Sequence, residues 1–232
     1  MKEKTDLFKE YIEKTYGKNT FFSKSQLQKE WEKFTSQPKL VPKLNSSPKP
    51  NQESLTSISS EIGDCTRCKL SKKRTQIVFG EGNPNAKLMF VGEGPGEQED
   101  LQGRTFVGRA GQLLDKIIEA MGMKRSDVYI ANVVKCRPPE NRKPEPDEVD
   151  ACEGFLHKQI RIVNPEIIVA LGATALTCLT KQEHKISQVR GKFMEFQGRK
   201  LLPTYHPAYL LRNPPAKKDV WADMQVVMGE LS

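Results

Sequence analysis

Four short runs, at residues 87–92, 128–134, 167–172 and 201–205, are apolar at nearly every position rather than at alternate ones. A strand with one wet face alternates. A run that is apolar throughout and only roughly four to eight residues long reads as a strand buried on both faces, the environment of a central parallel sheet. Between the runs the apolar period lengthens to that of a helix. Leu113, Leu114, Ile117, Ile118 and Met121 form one stripe; Val149, Cys152, Leu156, Ile160 and Val163 form another; residues 173–180 and 219–228 supply further helices. Strand and helix in alternation imply a doubly wound α/β fold, a three-layer α/β/α sandwich around a four-stranded parallel sheet. Ligands bind such sheets at the carboxyl ends of the strands. Residues 92–97, Asn132 and His206 all fall there, on three separate strands.

The N-terminal stretch has a different texture. Residues 1–50 hold eleven Lys against six Asp or Glu, supplying +5 of the chain's net +8. Leu7, Phe8, Tyr11 and Ile12 are at helical spacing, as are Leu27, Trp31 and Phe34, so two short helices are expected around residues 17–19. Residues 36–57 are rich in Ser, Pro, Asn, Lys and Gln and have no means of building a core. The domain boundary is therefore placed near 55: residues 1–54 form a basic helical extension and linker that touches another protein or DNA, and 55–232 form the folded domain. A basic chain favours a polyanionic partner. No apolar run approaches the length of a membrane span and no signal-peptide pattern opens the chain, so it is expected in the cytosol.

The motifs narrow the chemistry. G-E-G-P-G-E at 92–97 follows a strand but matches neither a dinucleotide-binding fingerprint nor a Walker sequence, and its carboxylates would repel phosphates. Its glycines suit close approach to a neutral base. Of three histidines, His206 follows a buried strand and precedes Pro207, a functional position, whereas His157 and His184 are read as structural or solvated. Leu210 and Leu211 are either core residues or wedges between stacked bases, with Arg212 on a phosphate. Five cysteines in a reducing compartment point to metal ligands plus one spare. Cys65 and Cys68 form a C-x-x-C, Cys136 ends a strand, and Cys152 lies on the apolar face of a helix. Zinc and iron–sulfur remain equal on spacing. Cys178, among apolar neighbours, is the bystander.

Taken in order, C-T-R-C-K-L, G-E-G-P-G-E-Q-E-D, G-R-T-F-V-G-R-A-G, N-V-V-K-C-R-P-P-E-N-R-K-P, A-L-G-A-T-A and H-P-A-Y-L-L-R-N-P resemble the motifs of the family-4 uracil-DNA glycosylases, the iron–sulfur branch of that superfamily in bacteria and archaea. The resemblance covers residues 59–230 and leaves the first fifty-odd outside it. It implies a 4Fe–4S cluster on Cys65, Cys68, Cys136 and Cys152, and a monomer acting on uracil-containing DNA. It implies that Phe106 stacks on a flipped uracil, Asn132 reads its edge, and His206 hydrogen-bonds O2 of the departing base, aided by the backbone at Glu93 and Gly94. In the superfamily's best-known branch an Asp stands where this chain has Gly94, so Glu93 or Glu99 is the candidate to orient water. Arg137, Arg142, Lys143 and the run Lys69, Lys72, Lys73, Arg74 are expected along the phosphate backbone. Another branch is trapped covalently on DNA through a histidine in an Arg-rich loop. The corresponding stretch here, 137–151, contains no histidine, so turnover is expected; the alternative reading is a non-catalytic or trapped uracil-DNA-binding relative.

Overall fold

The computed structural model describes residues 23, 25–29, 31 and 54–231. The chain divides into two compact units, Met1–Gln52 and Glu53–Ser232. In the first, residues 25–29 and 31 are helical, where Leu27 and Trp31 predict a helix; the stripe at Leu7–Ile12, Phe34 and the stretch 36–53 lie outside the described residues. Residues 55–57, the end of the stretch read above as unable to build a core, open helix α1, Leu55–Ile62, whose Ser54 cap and Ser57 hydrogen-bond each other's backbone.

The second unit is built on a six-stranded sheet of order β1-β3-β2-β4-β6-β5. Its centre is the expected set of four parallel strands: β2, Leu88–Gly92; β3, Tyr129–Asn132; β4, Ile167–Leu171; and β6, Arg199–Thr204. Two antiparallel edge strands enlarge it, β1 (Glu81–Gly82) on β3 and β5 (Met194–Phe196) on β6. Neither edge carries a readable apolar run. The first is two residues long, and the second closes a hairpin whose turn, Gln197-Gly198, uses positive φ at both residues.

Alternate residues of the central strands enter different cores. Met89, Val91, Ala131, Ile168 and Leu201 face one side, where they meet α1, α4 (Pro146–Val163) and α5 (Ala173–Thr180). Leu88, Phe90, Ile130, Val169 and Leu202 face the other, against α3 (Arg109–Ala120), α7 (Pro207–Arg212) and α8 (Lys217–Leu231). The three layers follow from these two half-sets, because β2, β3, β4 and residues 201–204 of β6 are buried throughout. Short helices α2 (Glu97–Gln102) and α6 (Ile186–Val189) complete the fold. From β2 the chain steps to β3 on one side and then crosses back to β4 on the other, which puts the topological switch at the carboxyl end of β2.

Candidate active site

Gly92, the last residue of β2, pairs in register with Asn132, the last of β3. A Cβ on Gly92 would lie 2.4 Å from Asn132 Oδ1 and 2.6 Å from the Phe106 ring. Its absence is what lets amide and ring meet over the strand ends. Phe106 reaches that place from a left-handed backbone, φ +48°, which a bulky residue adopts only when its surroundings impose it. Arg125 supplies the constraint. Ion-paired to Glu81 and Asp115 at 2.6 Å each, it donates to Phe106 O at 3.3 Å and to Thr105 O. From the other side α3 passes so close that a Cβ on Gly111 would sit 1.8 Å from the same Phe106 oxygen.

These groups open on a cavity of ≈ 610 Å³ whose wall includes Glu93, Phe106, Asn132, His206, Tyr209 and Arg212. Asn132 is 1% exposed, and its Oδ1 is buried with no hydrogen-bond partner. His206 caps α7, its Nδ1 accepting the Ala208 N–H at 3.1 Å. Part of the ring faces the cavity, 5.7 Å from the Phe106 ring, yet the surrounding protein encloses it. Burial lowers its pKa to about 4, with Arg212 adding to the shift and Glu99 opposing it. The neutral imidazole, its Nδ1 already an acceptor, therefore carries its proton on Nε2.

The carboxylates of the glycine-rich turn divide by task. Glu99 accepts the N–H groups of Gly96, Val107 and Gly108 at 3.1, 2.8 and 2.7 Å, tying the turn after β2 to the Phe106 loop. Asp100 accepts from Thr75 and Gln76, and Glu97 pairs with Arg137 at 3.6 Å. Glu93 lines the cavity with its carboxylate uncommitted to any described residue.

Behind the strand ends, all four cysteines of the two pairs line one small cavity with Ile62, Arg67, Arg74, Ile77 and Phe155. Donors point at the sulfurs: Arg74 at Cys136 (3.7 Å), Arg67 at Cys65 (3.5 Å) and the Lys135 N–H at Cys152 (3.3 Å). Cationic and amide donors of this kind suit thiolates. Among the described residues no three His, Cys, Asp or Glu side chains are arranged to hold a single metal ion. Cys178 stands apart on α5, with Glu153 as its partner at 3.4 Å.

Residues 79–225 match the family model of the uracil DNA glycosylase superfamily. The type-4 uracil-DNA glycosylase of Thermotoga maritima is 52% identical over 164 residues, 70% of this chain and 85% of that protein. That of Saccharolobus solfataricus is 47% identical over 189 residues, covering 78% and 88%, and that of Archaeoglobus fulgidus 42% over 187, covering 77% and 94%. The chain belongs to the type-4 uracil-DNA glycosylases.

For a type-4 uracil-DNA glycosylase, several positions differ from what the sequence suggested. Of the two leucines read as either core residues or wedges between bases, Leu210 is fully buried in the core, whereas Leu211, its neighbour on α7, is 36% exposed. Arg142 is committed to a two-point ion pair with the buried Glu148 at 2.8 and 2.7 Å, Lys69 to Glu145 and Asp147, and Arg74 to Asp64 and Cys65 O. Arg212, Arg109 and Lys143 border the cavity. Tyr209, its ring tilted against that of Tyr205 with centroids 4.8 Å apart, Asn141 and Pro138 also line it and carried no readable signal, since each lies in a loop or on a helix face whose direction only packing sets. No described helix is long and apolar enough to cross a membrane.

Proposed function

We propose that this chain excises uracil from DNA by hydrolysing the N-glycosidic bond of deoxyuridine, the first step in repairing deaminated cytosine. The observation that carries the reading is the Asn132 Oδ1: a buried acceptor without a partner, at the floor of a cavity between an aromatic ring and a neutral histidine. An unpartnered buried acceptor is costly, and the N3–H of a flipped uracil satisfies it while the amide NH₂ donates to O4. Cytosine presents a lone pair at N3 and an amine at C4, so both contacts fail; a site built around such bonds rejects the wrong partner by roughly 10⁴.

Phe106 stacks on the base. As the C1′–N1 bond breaks, its electron pair passes into the uracil ring, and His206 Nε2–H donates to the charge gathering on O2, aided by backbone N–H groups near Glu93 and Gly94. Water forms the new bond to C1′, oriented by Glu93, the acid of the turn not already committed to backbone or an ion pair; Glu99 acts as the clasp that holds the turn. The lost water proton leaves through Glu93 to solvent. Leu211 and Arg212 meet the DNA beside the cavity.

Cys65, Cys68, Cys136 and Cys152 would hold a 4Fe–4S cluster, one thiolate to each iron, in the cavity they share, with Arg67, Arg74 and the Lys135 N–H as donors to the sulfurs. Such a cluster would supply cross-linking here, joining the segment after α1, the segment after β3 and α4. Residues 55–232 form the catalytic domain, a monomer on DNA, and residues 1–54 add a basic extension.

The test is incubation with a uracil-containing duplex and its thymine-containing twin, then alkaline cleavage and a denaturing gel. Strand scission confined to the uracil duplex over multiple turnovers is expected. Intact DNA, or a stoichiometric SDS-resistant protein–DNA band without free abasic product, would overturn the reading.

A further inference from the structure

Lys135 is 1% exposed, and both acceptors of its ammonium are neutral oxygens: Asn132 O at 2.8 Å and Gln159 Oε1 at 2.6 Å. Lys135 also lines the cysteine cavity, and Cys152 and Cys178 favour its charge through space, but neither accepts from the ammonium. Burying that charge is expensive, and a Met would fill much the same volume without the cost. One demand for the ammonium comes from Asn132. It ends β3, and the neighbouring edge strand β1 pairs only with Tyr129 and Ile130, so no strand reaches the Asn132 carbonyl on that side. A buried carbonyl needs a partner, and the ammonium provides it.

The lysine is itself braced. Gln159, fully buried on α4, donates to Phe79 O at 2.9 Å and to the Tyr129 hydroxyl at 3.3 Å. The Lys135 carbonyl accepts the Val78 N–H at 2.8 Å. The Gln159 amide is thus fixed from two directions, and the ammonium it holds fixes Asn132.

We infer that Lys135 is a positioning residue for base recognition: the chain Gln159–Lys135–Asn132 sets the main chain of the residue whose side chain reads uracil. The inference rests on the function proposed above. A residue that acts through Asn132 loses its effect once the Asn132 side chain is gone, whereas a residue that merely stabilises the fold does not.

The test is a double-mutant cycle on the full chain purified with its iron, reading kcat/KM on uracil DNA, the inhibition constant of free uracil, and iron per chain. Lys135→Met is expected to keep the parent's iron content, to lower kcat/KM about 10-fold and to weaken uracil inhibition by a similar factor, as loss of one positioned hydrogen bond would. In the Asn132→Ala background the same change is expected to cost less than about twofold. An equal loss in both backgrounds, or unaltered uracil inhibition, overturns the brace. If Lys135→Met loses its iron or does not fold, Gln159→Met answers the same question: a loss present with Asn132 and absent without it supports the brace, and an equal loss refutes it. A parent chain that leaves uracil DNA intact overturns the proposed function itself, and is read before any variant is compared.

Discussion

The imidazole of His206 is the residue in this pocket whose chemistry depends most on its enclosure. With its folded pKa near 4 against about 6.5 in an unfolded chain, the unfolded state takes up the proton first. The stabilisation from burying the neutral ring is therefore complete above about pH 6.5 and is lost as pH falls through about 4. Protonation also places a hydrogen on Nδ1, against the Ala208 N–H it now accepts. The excision rate is accordingly expected to stay level from pH 8 to about 5, with no histidine inflection near 6.5; a single-turnover pH profile with a break there would assign the ring a different state. His206→Ala should lower the single-turnover rate by about 10²–10³, the effect of removing one donor from a developing anion, and an unaltered rate would move that role to the backbone near Glu93. Asn132→Asp should erode discrimination against cytosine far more than stability, because the exchange alters the donor pattern and hardly the volume; rates on matched uracil and cytosine duplexes decide it.

Among the elements, α3 and the Phe106 loop show how much of the site is held by close backbone approach. Gly111 lies inside a helix, where its sequence context offers only a weak residue for helix formation. The structure gives the reason it is there: the Phe106 carbonyl occupies the space a Cβ would need. Gly111→Ala should therefore destabilise the domain by about 2–3 kcal/mol, a fall of roughly 5–10 °C in Tm, and displace the stacking ring; a thermal melt within a degree of the parent would show that the loop yields freely. The cysteine-bearing elements make a separate prediction. Cys136→Ser or Cys152→Ser should bleach the yellow-brown anaerobic protein and lower its iron from about four per chain, whereas Cys178→Ser, on a helix outside that cavity, should leave the colour intact. Stoichiometric zinc and no visible absorption in never-oxidised protein would reverse the assignment.

For the whole molecule, the matched family region begins at residue 79 and the cysteine cavity at Ile62, so a chain starting at Ser54 is expected to excise uracil at a similar rate under saturating DNA. It should bind more weakly at low salt, having lost the +5 of residues 1–50; a folded but inactive protein at saturating substrate would relocate the boundary. The sheet's four central strands and their helices were readable because burial on both faces leaves a continuous apolar run, and because helical period and strand length follow from local stereochemistry. That His206, Asn132 and Glu93 converge on one cavity, and the four cysteines on another, was readable as well, since most stand at a strand end or in a compact motif. The edge strands were not, being too short or too polar to carry a pattern. Nor did sequence separate Glu93 from Glu99, Leu211 from Leu210, or Arg212 from Arg142. The members of each pair are chemically alike, and only the packed structure commits one of them to backbone N–H groups, to the core or to a buried carboxylate. Lys135 makes the same point most sharply: local sequence determines that a lysine precedes Cys136, but its ammonium is drawn inward by a carbonyl that lacks a strand partner, and that lack exists only once the sheet has formed.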